Sequence, residues 1–426
     1  MSSRMSSARL DVQPSCDDDY DPNSLTCAEA RLRIAAHVKP LLAAESVPVR
    51  DALGRVLASP VVSRIDVPGH LNSAMDGYAI VATDLPAEGV RELTVIGSSF
   101  AGKPFYGTLV PGQAVRIMTG AVVPEGADTI LLQELVEARG DRIRIDGRHQ
   151  PRQHLRAIGE DIARGQTILT AGQRITPAEL GLIASLGITE LKVLRKPRVA
   201  FFSTGDELRS LGEPLGIGEI YDSNRYTLFG MLTRLGVEIA DLGVVADDPD
   251  ALQAAFVSAS ADADVVITSG GVSVGEADYT KEILSRLGEV KFWKVAMKPG
   301  RPLAFGDLGH ALFFGLPGNP VSVMVTFYQF VQPALLQLMG TSASEYPVLR
   351  AHTTTLLKKR PGRVEYQRAR LARDENGAYV VSATGDQGSG ILSSMSNANC
   401  FIVLDMETGR VEAGSLVDVQ PFFGIV

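Results

Sequence analysis

Between residues 196 and 340 the chain reads as short continuous apolar runs alternating with stretches of helical period. Residues 198–203 predict a buried strand, 225–235 a helix, 237–244 a strand and 249–261 a helix. A strand at 264–269, a helix at 279–287 and a strand at 290–297 continue the series. Strands alternating with helices of this length predict right-handed βαβ units and a mostly parallel sheet covered on both faces. Residues 66–165 have a different texture, with short β-branched runs such as 93–96 and 128–132 broken by Gly and Pro, which predicts an all-β insertion. From 346 to 426 apolar and polar residues alternate between turn signals, which predicts a small β domain.

Helix punctuation marks the remaining segments. Thr26 and Glu29 stand three apart as a capping box before an apolar-periodic stretch that stops at Pro40. Within 166–195, Pro177 suits a first helical turn and Gly187 a stop. The Ser-rich, then acidic, start with Asp17, Asp18, Asp19 and Asp21 is too polar to bury and predicts a disordered tail. The breaks predict a tail over 1–22, a discontinuous helical domain over 23–62 and 166–195, and an inserted β domain over 63–165. A central α/β domain over 196–345 and a C-terminal β domain over 346–426 complete the plan.

Composition narrows the function. With 45% hydrophobic and 21% charged residues the chain can bury several cores, and a net charge of −8 gives no basic footprint for nucleic acid. Cys16, Cys27 and Cys400 lie far apart, which argues against a disulfide framework or a structural zinc and fits a reducing cytoplasm. No apolar run reaches the ~18 residues of a membrane span, and the start lacks the apolar core of a secretory signal.

Open parallel sheets bind ligands beyond the carboxyl ends of their strands, and three Gly-containing segments fall at such ends. They are Ser203-Thr204-Gly205-Asp206-Glu207, the run from Thr268 and Ser269 through Gly270, Gly271, Ser273 and Gly275 to Asp278, and Gly315-Leu316-Pro317-Gly318-Asn319-Pro320. A Gly-rich turn that opens a helix aims free N–H groups outward and cradles oxyanions. Any one such loop reads equally as a tight turn needing glycine for its φ angle; three at one edge favour the anion site. Lys294, Lys298 and Arg301, stiffened by Pro299 and Pro302, bring cations to that edge, against the plainer reading of a solvated basic turn. Glu207, Asp247, Asp248 and Asp278 supply carboxylates that suit a hard divalent cation, although Asp248 before Pro249 reads at least as well as a helix cap. In the insertion, 72–79 and 117–121 read by themselves as turns. The six histidines show no ligand spacing, and no nucleophile stands beside a base.

Residues 72–79, 118–121, 203–208, 268–280, 297–302 and 315–321 each resemble a signature segment of the MoeA family, to which the gephyrin E domain is related, and occur in that family's order. The resemblance implies an elongated homodimer. Each subunit would have a discontinuous helical domain, an inserted β domain, a central α/β domain like that of MogA-type adenylyltransferases and a C-terminal β domain. It implies insertion of molybdate into adenylated molybdopterin with release of AMP, in the cytoplasm, in a cleft between subunits. Magnesium, or another divalent cation such as zinc, would assist, and a MogA-type adenylyltransferase would be a partner. Carried over, the functional positions fall on Asp76, Thr119, Asp161, Glu207, Asp247, Asp278, Lys294 and Lys298, with a serine at Ser393 or Ser394. Glu207, Asp247 and Asp278 would hold metal; Lys294, Lys298, Arg301, Ser269, Gly270, Gly271, Ser273, Gly275 and Ser394 would bind substrate. Arg301 stands where the family pattern commonly has Lys, which keeps the charge. Two rival readings are a MogA-like adenylyltransferase, set against by the extra domains, and a gephyrin-like scaffold, set against by the retained acidic and basic positions.

Overall fold

A computed structural model describes residues 24–271, 277–341 and 347–422. The expected tail over 1–22, and Ser273 and Gly275 of the second loop, lie outside the described residues, as does the side chain of Asp278. The chain forms two compact units, Met1–Glu45 with Leu194–Val426, and Ser46–Val193.

In the larger unit the apolar runs become a six-stranded sheet. Its elements are β1 (Arg198–Thr204), α1 (Ser223–Leu235), β2 (Glu238–Val245), α2 (Pro249–Asp262), β3 (Val265–Ser269), α3 (Ala277–Leu287), β4 (Gly288–Lys294), β5 (Pro302–Leu308) and β6 (Ala311–Leu316). The strand order is β2-β1-β3-β6-β5-β4. β1 runs parallel to β2 and β3, and β3 parallel to β6, while β5 is antiparallel to both β6 and β4. The mostly parallel sheet thus carries an antiparallel hairpin toward one edge. The expected strand at 290–297 stops at Lys294, because Met297–Lys298 pairs instead with Val364 and Glu365.

Alternation along each strand sorts side chains to two cores. Val199, Phe201, Val265, Ile267 and Phe314 pack with Leu228 and Leu232 of α1. Ala200, Phe202, Val266 and Phe313 pack with Leu252 and Phe256 of α2 and Leu284 of α3. The Phe256 ring lies edge-on to Phe202 at 5.2 Å and to Phe313 at 5.7 Å, so truncating it to Ala costs about 3–5 kcal/mol. Helix ends follow the local chemistry. The Asp222 carboxylate accepts from Arg225 N to start α1, and Gly236 at φ +76° ends it. Asp248 caps α2 through Ala251 N, as its position before Pro249 suggested.

After β6 the chain runs helically over Pro320–Leu338, with one π-helical turn at Phe327–Val331. This segment is long and apolar enough to cross a membrane, but 78% of it is buried, as suits a core helix. The first helix, Cys27–His37, carries the expected Thr26/Glu29 capping box. It buries Cys27, Ala30 and Ile34 in the same core as Phe330 and Ala334. Its apolar face therefore belongs to the α/β unit, rather than with residues 166–195 as expected.

The C-terminal strands form a closed barrel. Val364–Arg373 pairs with Tyr379–Ala383, which pairs with Leu349–Thr353, then Leu416–Pro421, then Cys400–Leu404, which returns to Val364–Arg373. Closure leaves no free strand edge within the ring. Cys27 and Cys400 are buried free thiols, and burial pushes Cys400 up to about 12.

The smaller unit holds the all-β insertion. Its six-stranded sheet runs in the order Thr129–Leu132, Gly77–Ile80, Gln113–Ile117, Val90–Ser99, Arg142–Asp146, Glu137–Arg139. Residues 49–61 and 168–193 form a separate core around Leu57, Leu169, Ile183 and Val193. Only one α-helix, Pro177–Ser185, stands there among the described residues, capped by Thr176 and Glu179 and followed by Gly187 at φ +71°. Its start at Pro177 and its stop at Gly187 are those the sequence suggested.

Candidate functional site

Register aligns the carboxyl ends of three neighbouring strands: Ser203 of β1 pairs with Ser269 of β3, and Ser269 with Leu316 of β6. All three expected loops therefore leave one edge and meet around a cavity of about 620 Å³. Thr204, Gly205 and Glu207 line it from the first loop, Ser269, Gly270 and Gly271 from the second, and Pro317, Gly318, Asn319 and Pro320 from the third. The first loop does not feed a helix directly, because Leu208–Arg209 first pairs with Ile220–Tyr221. Close approach explains the glycines. Gly270 has φ +93° and donates its N–H to Leu316 O at 3.1 Å, and a Cβ there would overlap the Thr204 carbonyl oxygen.

Charges of both signs share the walls. Glu207 and Asp247 line the cavity with Lys298 and Arg301. Asp247 accepts a hydrogen bond from the Thr204 hydroxyl, and its N–H donates to the Asp206 carboxylate at 3.2 Å. Lys298 Nζ lies 3.9 Å from the carboxylate of Glu365, a buried residue that also accepts from Gln367 at 2.9 Å. Val295, Ala296 and Met297 before it are buried, which removes the reading of a fully solvated basic turn.

Sequence reasoning overlooked several wall residues. Asn224, at the start of α1, donates to Ser269 Oγ at 2.8 Å and to Gly318 O at 2.6 Å, tying the second loop to the third. Asp222 beside it is 2% exposed. Arg363 and the run Asp386-Gln387-Gly388-Ser389 close the cavity from the barrel. The glycines at 385, 388 and 390 were the available signal, within a segment expected only to be a small β domain.

Other expected positions lie elsewhere. Lys294 ends β4 exposed and outside this wall, with its carbonyl accepting from Leu25 N at 2.8 Å. Ser394 is buried, and its hydroxyl accepts from Arg368 Nε at 2.9 Å and donates to Ile391 O at 2.6 Å, so it supports the wall without lining it. Asp76, Thr119 and Asp161 belong to the smaller unit. There Asp76 Oδ1 accepts from both the N–H and the hydroxyl of Thr119, each at 2.7 Å, and these bonds hold its carboxyl below the ordinary range. Asp161 sits on an exposed turn with its N–H bonded to Val67 O. Among the described residues no group of three or more His, Cys, Asp and Glu could hold a metal ion. A second cavity of about 780 Å³ lies between the first helix and the barrel, and none of the expected site residues lines it.

Residues 25–187 match the family described as MoeA N-terminal region (domain I and II), 200–337 a probable molybdopterin binding domain, and 350–422 the MoeA C-terminal region (domain IV). The chain is 45% identical to the molybdopterin molybdenumtransferase of Haemophilus influenzae, over 93% of this chain and 98% of that one. It is 33% identical to gephyrin of Dictyostelium discoideum, over 88% of this chain and 58% of that one. A crystal structure of the molybdopterin biosynthesis MoeA protein of Pyrococcus horikoshii superposes with a TM-score of 0.77 at 32% identity, over 94% of this chain and 99% of that one. With three successive family regions and the loop cavity in place, the chain belongs to the MoeA family of molybdopterin molybdenumtransferases, enzymes of molybdenum cofactor biosynthesis.

Proposed function

We propose that the cavity at the carboxyl end of the central sheet is where molybdate reacts with adenylated molybdopterin: the two dithiolene sulfurs bond molybdenum, one molybdate oxygen leaves it for the phosphoanhydride phosphorus, and the P–O–P bond breaks to release AMP. The observation that carries this reading is the meeting of Glu207, Asp247, Lys298 and Arg301 with Gly270 and Gly271 around one space. A phosphoanhydride and an oxyanion bring several negative charges together, so their reaction needs cations and N–H donors fixed in advance. Lys298 and Arg301 bind and screen the oxyanions, and the 270–271 amides cradle phosphate.

Two cavity carboxylates fit a magnesium-like ion better than a closed all-protein cage, since such ions are commonly held by one or two carboxylates plus substrate phosphates. Glu207 and Asp247 are the described ligands we assign to it, with Asp278 as a third; when bound it would neutralise developing phosphate charge. Asp247 is positioned for this by the Thr204 hydroxyl, which fixes one of its oxygens. The resemblance adds Ser273 and Gly275 to the proposed substrate-binding set, and Lys294 adds positive potential near the edge.

In this proposal the enzyme is a cytoplasmic homodimer, supplied with adenylated pterin by a MogA-type adenylyltransferase. Asp76, Thr119 and Asp161 of a second copy complete the molybdate side. Support for their part is the Asp76–Thr119 pair, in which one carboxylate oxygen is fixed by two donors of Thr119. The test is AMP release by Glu207→Gln and Lys298→Ala, each expected to fall at least ~100-fold with the fold intact. Normal release by both overturns the reading.

A further inference from the structure

Two acceptors in the wall of the cavity have no donor among the described residues. Asp222 is 2% exposed; its Oδ1 accepts from Arg225 N at 3.0 Å, while Oδ2 is buried without a hydrogen-bond partner. The Arg225 guanidinium does not answer it, because its Nε donates to both oxygens of Asp241, at 2.8 Å each. Asn224 gives its Nδ2 to Ser269 Oγ at 2.8 Å and to Gly318 O at 2.6 Å. Those two bonds fix the amide, and its buried Oδ1 is likewise unpartnered. Both residues line the cavity, in company with Leu208, Ile220 and Tyr221.

A buried acceptor without a donor is costly, and an ionised carboxylate can only accept. Phosphate and molybdate oxygens are acceptors too, so this corner repels what Lys298 and Arg301 attract. It suits a ring that carries N–H donors on its edge and that Leu208, Ile220 and Tyr221 can flank on its faces. Adenylated molybdopterin has two heterocycles. The adenine amino group lies between ring nitrogens that accept, so against two acceptors it brings one attraction and one repulsion. The 2-amino group of a pterin and the adjacent ring N–H are two donors side by side, an edge that two acceptors read together.

We propose that Asp222 Oδ2 and Asn224 Oδ1 recognise the donor edge of the pterin ring, and so set which heterocycle enters this end of the cavity. The inference rests on the cavity being the reaction site. It divides the substrate by chemistry, with the ring at 220–224 and the phosphates at the 270–271 amides.

Asp222→Asn is nearly isosteric. Its side-chain oxygen keeps the cap of α1, since Asn serves as well as Asp at a helix start, and its amide turns the free acceptor into a donor. Dissociation constants of molybdopterin and of AMP are measured separately on the purified folded protein, in chelator so that no divalent cation is present. We expect the molybdopterin constant to rise at least ~10-fold and the AMP constant to change less than ~2-fold. No loss for either ligand overturns the proposal, as does an equal loss for both, which marks a general disturbance of the wall. Loss for AMP alone also overturns it and places the ribose or adenine at this corner. An effect that appears only when magnesium is restored overturns it too, because Asp222 would then be a ligand of the ion. Asp222→Ser, which keeps an oxygen for the cap and removes the second acceptor, carries the same test if Asp222→Asn does not fold. AMP release by Glu207→Gln and Lys298→Ala separates the two readings. Impaired release with unchanged molybdopterin binding in Asp222→Asn removes only the pterin contact, whereas normal release overturns the cavity reading and this assignment with it.

Discussion

Replacing Gly270 by Ala tests how tightly the loops around the cavity are fitted. Gly270 adopts φ +93°, and a Cβ would overlap the carbonyl oxygen of Thr204 on the neighbouring strand. Ordinary contact lies near 3.5 Å, so β1 and β3 would have to part by about an ångström at their carboxyl ends. The left-handed backbone costs an L-residue ~1–2 kcal/mol and the overpacking ~1–3 kcal/mol, for a total of roughly 2–5 kcal/mol. Displacement on that scale separates Glu207 from the 270–271 amides, so activity should fall about 100-fold even where the protein stays folded. Gly309→Ala is the control. Its φ is +63°, but nothing lies within 4 Å of the added Cβ, so only the backbone cost of ~1–2 kcal/mol applies and activity should be near normal. Urea melts give the stabilities and AMP release the activities. If Gly270→Ala matches Gly309→Ala in both, the close fit of the loops is not what shapes the site.

Glu365→Gln should weaken the hold on Lys298 while changing stability by less than ~1 kcal/mol, because the lysine is half exposed and the Gln367 contact is retained. A several-fold rise in substrate KM is expected, and an unchanged KM would show that Lys298 needs no such partner. At the amino end of the sheet, Asp264 accepts from Arg195 at 2.6 and 2.7 Å and from Arg198 N at 2.8 Å. Burial alone would raise its carboxyl, but these bonds and the two arginine charges outweigh it and the net shift is downward. A depressed folded value means the stabilisation is present above roughly pH 4 and is lost as pH falls through it. Asp264→Asn should therefore cost about 2 kcal/mol at neutral pH and flatten the acid limb of the stability profile; a limb of unchanged slope would exclude Asp264 as its source.

Much of the larger unit was legible because its rules are local. The Thr26/Glu29 box, Asp248 before Pro249 and the continuous apolar run from Val199 to Phe202 each specify their own geometry. The meeting of the three loops was legible too, since parallel strands at successive βαβ turns end at the same edge. What stayed hidden depends on distant pairing. Met297–Lys298 leaves its expected strand only because Val364 and Glu365 offer a partner more than sixty residues on. The 386–389 segment becomes a cavity wall only through the buried Arg368, which donates to its carbonyls, and nothing in its own sequence shows which side of the barrel it faces. The helix Cys27–His37 likewise has an apolar stripe that is satisfied equally well on paper by more than one domain.

The most direct measurement of the central claim is a crystal structure of the enzyme with AMP and molybdate. Phosphate density against Gly270 and Gly271, with the oxyanions in reach of Lys298 or Arg301 and Glu207, is the expected result. Both ligands bound away from this cavity would contradict it.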